Sequence, residues 1–148
     1  MSRTILLDSG PLGLVTNPRG SNMATACGQW LRDAASAGAT VVVPEIADYE
    51  IRRELIRARR TAGIARLDAL ISQVEYLAIT TTAMRRAAEI WAAARQGGRP
   101  TAADAALDGD VILAGQATTL NRTGLIVATT NVRHLSRFVP AALWSEIE

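Results

Sequence analysis

Four short apolar runs punctuate the chain, at Thr4 to Leu7, Thr40 to Val43, Tyr76 to Ile79 and Leu125 to Ala128, and the stretches between them repeat apolar positions at helical spacing. Strand-length runs alternating with helical patterns predict βαβ units. The runs are apolar at nearly every position rather than at every second one. That predicts burial on both faces, as in a parallel sheet with helices on either side. Right-handed crossovers then bring the strand exits to one edge of the sheet.

The helical stretches carry their own punctuation. Asn22 and Gly38 bracket a helix over Met23 to Ala37, one as a cap and the other as a left-handed stop. Pro44 and Glu45 open the next, expected to run to Ala62, where Gly63 breaks it and Ile64 to about Val74 forms another. Thr81 to Gln96 makes a further helix that stops at Gly97-Gly98. Gly97 to Thr101 reads as a loop, and the alanine-rich stretch beyond it enters a helix ending near Thr119. A strand, a loop and a short tail with Trp144 follow. The expected fold class is therefore α/β in three layers, with a central parallel sheet of four to five strands flanked by helices.

Composition narrows the chemistry. With 148 residues, 49% hydrophobic and 20% charged, the sequence suits one domain over residues 1–148 with a real core. No apolar run approaches a bilayer span and no secretory signal opens the chain, so the expectation is a cytoplasmic protein without a membrane partner. Cys27 is the only cysteine and His134 the only histidine, which excludes an internal disulfide and a zinc site of Cys and His ligands. A bound metal would be held by oxygen, and oxygen suits Mg²⁺ or Mn²⁺. The formal net charge is only +2, yet all 16 basic residues are arginine. The lack of lysine removes P-loop and Schiff-base chemistry, while arginine still grips phosphate with two prongs.

Carboxylates stand where such a sheet places its chemistry. Asp8 ends the first run and is followed at once by the turn-forming Ser9-Gly10-Pro11. Glu50 flanks the stripe of Ala47, Ile51, Leu55 and Ala58 on its helix, where it either leans toward Asp8 or pairs along the helix with Arg53. Of the cluster Asp104, Asp108 and Asp110, only Asp110 shares a face with the small apolar stripe of Ala103, Ala106, Leu107, Ala114 and Ala117. An ionised carboxylate on such a stripe needs a cation or donors. Asp104 and Asp108 serve equally as helix caps. The polar exit Thr129-Thr130-Asn131 is the fourth station. Together these read as a divalent-metal site, with Ser9 placed to bond a metal-held water or to cap the next helix.

By spacing, Glu50, Arg53, Arg57 and Arg60 share one helical face, which is either a solvated surface or a cationic track for a phosphate backbone. His134, in a loop, reads as a local hydrogen-bonder or a substrate contact. Trp30, Trp91 and Trp144 read as packing or interface residues, and Cys27 as a buried filler. A dehalogenase-type phosphatase is disfavoured, because Gly10 stands where that chemistry needs a second aspartate.

Taken in order, Ile5-Leu6-Leu7-Asp8-Ser9-Gly10, the stretch from Val43 to Leu55, Leu107-Asp108-Gly109-Asp110-Val111-Ile112-Leu113-Ala114 and Thr129-Thr130-Asn131 resemble the PIN domains, most closely the VapC-type toxins of bacterial toxin–antitoxin pairs. The likeness covers essentially the whole chain. It implies a parallel sheet between helices, a Mg²⁺- or Mn²⁺-dependent ribonuclease acting on RNA, frequent homodimers and a small protein antitoxin. Carried over by position, the acidic quartet is Asp8, Glu50, Asp110 and the residue at Asn131. Many members have aspartate there. Either Asp108 or Asp104 supplies the missing charge, or one ion suffices, or activity is reduced. Hydrolysis would then proceed by in-line attack of water activated by one or two ions held by Asp8, Glu50 and Asp110.

Overall fold

In the computed structural model, which describes residues 3–97 and 104–148 and no side chain of 104–106, each of the four apolar runs yields a strand. These are β1 (Thr4–Leu7), β2 (Thr40–Pro44), β3 (Glu75–Leu77) and β4 (Leu125–Thr129). A further strand, β5 (Ala141–Leu143), lies in the expected tail. It spans only 3 residues, too few for a periodicity to show. All pairings are parallel and the order is β3-β2-β1-β4-β5, so the sheet has 5 strands.

Helices α1 (Ser9–Thr16), α2 (Asn22–Ser36), α3 (Glu45–Arg57) and α4 (Thr61–Gln73) fill the first two crossovers. The third crossover is made by α5 (Thr81–Gln96) and α6 (Asp104–Leu120), and the short α7 (Val132–Leu135) leads to β5. Successive β1 residues point to opposite faces. Leu6 joins Val42, Val127 and the α5–α6 residues Ile90, Val111 and Ala114 in one core, while Ile5 and Leu7 join Leu12, Val43 and Leu67 in the other. Both faces are covered, which is why the strands read as continuously apolar.

Close backbone approach holds α6 in place. A Cβ on Gly115 would stand 2.4 Å from the carbonyl oxygen of Ala83, so α5 and α6 pack nearly backbone to backbone there. Gln116, fully buried on the same helix, accepts from the Ile46 amide at 3.3 Å and donates to the Leu77 carbonyl at 2.8 Å. Its amide satisfies the backbone at the start of α3 and the end of β3, where an apolar side chain would leave those groups orphaned.

Four local expectations need correction. The helix from Pro44 does not reach Ala62: α3 stops at Arg57 and α4 starts at Thr61. The stop is a Schellman motif, with the Arg60 amide bonded to the Leu55 carbonyl at 2.9 Å and Arg59 to Ile56 at 3.1 Å. Arg59, at φ 56°, takes the left-handed position that glycine usually marks, so no sequence signal announced it. Gly63 lies inside α4, where the lack of a Cβ admits Leu55 of α3. Ser9-Gly10-Pro11, expected as a turn after the first strand, is the start of helix α1, and the stretch after Asn131, expected as a loop, is helical as α7. Of the expected loop from Gly97 to Thr101, all but Gly97 lies outside the described residues. Among the described residues no helix is long and apolar enough to cross a membrane.

Because a non-glycine residue in the left-handed region costs about 1–2 kcal/mol, Arg59→Gly is expected to stabilise the protein by about 0.5–1 kcal/mol after the entropic cost of glycine. Urea unfolding of the two proteins checks it.

Candidate metal centre

From β1 the chain builds β2 and β3 on one side, then crosses back to build β4 and β5 on the other. Such a reversal opens a crevice at the carboxyl edge of the sheet. Asp8 sits in it. Its amide donates to the Ala128 carbonyl at 2.9 Å, which extends the β1–β4 pairing by one residue. Its Oδ1 accepts from the Ser9 amide at 2.7 Å, capping α1, and its Oδ2 accepts from the Thr129 hydroxyl at 2.7 Å. Thr129 is fully buried, and its Oγ1 also accepts the Asn131 amide at 2.9 Å.

Glu50 approaches from α3. A Cβ on Gly109 would lie 2.8 Å from its Oε2, so the bare backbone of α6 is what admits the carboxylate. The next residue, Asp110, is only 19% exposed, and its Oδ2 is buried with no hydrogen-bond partner among the described residues. The imidazole of His134 stands beside it, with Nδ1 at 3.7 Å from that oxygen, beyond hydrogen-bond reach.

Burial pushes all three carboxyls above their usual range. For Asp8 the hydrogen bonds from Thr129 and Ser9 oppose the shift without cancelling it. For Glu50 the charges of Asp8 and Asp110 add to burial, while Arg53 opposes. For Asp110 burial and Asp8 raise the value, against His134 and Arg137. The three are thus electrostatic neighbours that repel. Among the described residues no three His, Cys, Asp or Glu side chains are drawn together tightly enough to enclose an ion unaided. The donors nonetheless fit a hard divalent cation: anionic oxygens, one of them buried without a donor, beside a glycine cradle.

The other expected site residues scatter. Ser9 supports Asp8 through its amide. Thr130 is exposed and rests on Gly10, where a Cβ would meet its Oγ1 at 2.5 Å. Asn131 is exposed, and its amide nitrogen lies 3.3 Å from His134 Nδ1. Asp108 is exposed and lines a separate groove with Met84 and Trp91 on the α5 side of α6. Two residues along a helix point in nearly opposite directions, so Asp108 cannot join Asp110 as a ligand. The side chain of Asp104 lies outside the described residues.

The expected track of arginines also divides. Arg53 shares α3 with Glu50, but Arg57 is paired to Glu54 at 2.8 Å and Arg60 lies beyond the end of α3. Arg57 and Arg60 line a cleft of about 430 Å³ with Thr16 and Arg19, one to two turns down α1 and α3 from the carboxylates. Thr129 belongs to the expected fourth station, but its role as the hydroxyl donor to Asp8 went unread in the sequence. Its signal was its place directly after the last apolar run, at a strand exit like that of Asp8.

Trp30 and Trp144 pack together with ring centroids 5.9 Å apart, and the Trp30 indole donates to the Ile147 carbonyl at 2.9 Å. Cys27 is buried, as expected.

Raised carboxyl values mean that ionising the trio is a cost absent below the unfolded-state values and fully present above the raised ones. Glu54 and Glu75, lowered by Arg57 and Arg122, act in the opposite sense. The informative quantity is therefore a difference. The melting temperature of metal-free Asp110→Asn is expected to gain on that of the wild type as pH rises through the raised values; a constant gap would contradict the shift. Gly109→Ala should leave stability unchanged or raise it by up to about 1 kcal/mol through helix propensity, while reducing the rise in melting temperature that Mn²⁺ produces. Thermal melts with and without Mn²⁺ separate the two effects.

No family model matches the chain, and no curated protein does. Solved structures match closely in shape. A chain of VapBC2 from Rickettsia felis, crystallised with a DNA fragment from its promoter, superposes with a TM-score of 0.71 at 14% identity, over 95% of this chain and 98% of that one. A chain of the DNA-bound VapBC from Salmonella typhimurium gives 0.69 at 20%, over 97% and 99%. One of VapBC-1 from nontypeable Haemophilus influenzae gives 0.67 at 17%, again over 97% and 99%. The protein therefore has the PIN-like α/β fold of these assemblies, built on a five-stranded parallel sheet.

Proposed function

We propose that the protein is a Mg²⁺- or Mn²⁺-dependent endoribonuclease, the toxin of a toxin–antitoxin pair. One observation carries the reading: at the carboxyl edge, where the sheet reverses, Asp8 leaves β1 while Glu50 of α3 lies against Gly109 of α6, next to Asp110, whose Oδ2 is buried without a hydrogen-bond donor among the described residues. Like charges held half-buried together favour a cation between them.

In this reading Asp8, Glu50 and Asp110 hold the ion. The ion supplies Lewis-acid charge that offsets the phosphate oxygens and makes water a better nucleophile. Asp8 is kept in place by Thr129 and Ser9, so its carboxylate meets the ion in a fixed orientation. Glu50 is steered by the α6 backbone at Gly109. Ser9, Thr130 and Asn131 form the polar rim nearest these groups. A small antitoxin is the partner supported by the VapBC assemblies whose fold the chain shares; a homodimer is proposed from the family resemblance alone.

Asn131 favours a second reading, a nucleic-acid-binding or protein-interaction module without turnover. An amide at the fourth station contributes no charge, and it lies beside His134.

Incubation with total cellular RNA decides between the two. The wild type is expected to cut RNA with Mg²⁺ or Mn²⁺, and Asp8→Asn and Asp110→Asn to lose at least ~100-fold in rate, since even groups that only support metal ligands cost up to that much. Binding without cleavage under any divalent ion would select the second reading.

A further inference from the structure

An arginine can offer a ligand only the N–H groups that the fold leaves over. Arg52 is held between Asp48 at 3.0 Å and Asp68 at 2.7 Å, Arg122 is paired to Glu75, and Arg57 gives both Nε and Nη2 to Glu54. Arg53 and Arg137 differ. Arg53 lies over the Tyr49 ring at 5.0 Å, and Arg137 lies over the Phe138 ring at 4.8 Å while its Nε donates to the His134 carbonyl at 3.2 Å. Neither gives its terminal N–H groups to an acceptor among the described residues. Both stems are braced and both forks are left over.

Their positions are complementary. Arg53 follows Glu50 by one turn of α3, on the same side. Arg137 is linked to Asp110 through His134, whose carbonyl takes the guanidinium Nε and whose Nδ1 stands 3.7 Å from the Asp110 carboxylate. The electrostatics follow the same order, Arg53 acting on Glu50 and Arg137 on Asp110. A row of carboxylates thus ends in a guanidinium fork at each side.

We propose that Arg137 is a phosphate ligand for the substrate, gripping a single-stranded RNA on the α7 side of the carboxylates while Arg53 grips it on the α3 side. This rests on the ribonuclease reading above. Guanidinium forks match phosphate oxygens two to two, and a strand so held lays the intervening phosphate over the carboxylate row. The Tyr49 ring, 55% exposed beside one fork, offers a face on which an unpaired base can stack.

The test is fluorescence anisotropy of an end-labelled single-stranded RNA with the full chain, Ca²⁺ replacing Mg²⁺ and Mn²⁺, and a gel to show the strand intact. Arg137→Ala and Arg53→Ala are each expected to weaken binding several-fold and to reduce the slope of log Kd against log salt by about 0.7, the share of one phosphate on a single strand. Arg32→Ala, an exposed charge on α2, should change neither. Arg137→Lys should keep the slope and lose part of the affinity, because the charge survives and the fork does not. If Arg137→Ala fails to fold, Arg137→Gln, which keeps the stem over Phe138, carries the same expectation.

Unchanged Kd and slope in the folded Arg137 variants, with the wild type binding and cutting RNA, would overturn this proposal alone. Equal losses on a poly-glutamate chain would overturn it too, assigning Arg137 to polyanions at large. A wild type that neither binds nor cuts RNA removes the ribonuclease reading itself.

Discussion

The parallel pairing of β1 with β4 is the constraint on which the carboxyl edge depends. Its register sets Leu7 against Ala128, and the Asp8 amide prolongs the pairing to the Ala128 carbonyl. Asp8 and Thr129 therefore emerge side by side, and the Thr129 hydroxyl meets Oδ2. A slip of one residue would turn Thr129 to the opposite face and leave the Asp8 carboxylate without its donor. The cores on the two faces lock that register, because Leu6 and its neighbours Ile5 and Leu7 each have a filled hydrophobic layer to enter.

The site runs against the stability of the fold that carries it. Hydrogen bonds from Thr129 and Ser9 favour the Asp8 carboxylate, yet burial outweighs them, and the Asp8 charge makes ionisation of Glu50 and Asp110 harder. The protein tolerates this because the elements bearing the acids are fixed elsewhere. Gln116 bridges α6 to β3 and to the start of α3, and Gly115 lets α6 lie against α5. Asp110 has no freedom to retreat to solvent while its helix is held at these points. A cation that neutralises the trio is then worth more than it would be to flexible surface acids.

Glycine at Gly10, Gly109 and Gly115 serves close approach rather than turning. At each, a side chain or carbonyl of another element occupies the space that a Cβ would take: Thr130, Glu50 and the Ala83 carbonyl in turn. In the linear sequence Gly10 looks like a turn former and Gly109 and Gly115 like weak points in a helical pattern, and their purpose shows only when the elements are brought together.

The linear pattern was enough to settle the α/β class, the parallel sheet, most helix limits and the station of Asp8, because all of these follow from local periodicity and from where a strand must end. Asp110 was legible too, as a charge on an otherwise small and apolar stripe. What depended on contacts between distant segments was not. The Schellman stop at Arg59 carried no glycine to mark it, and β5 was too short to have a period. Asp108 stayed open as a possible ligand in the sequence, and the packing of α6 on α5 is what turns it outward, away from Asp110. The support from Thr129, the cradle at Gly109 and the free fork of Arg137 were decided by tertiary structure alone, since each depends on a partner brought in by chain folding rather than on its own neighbours in sequence.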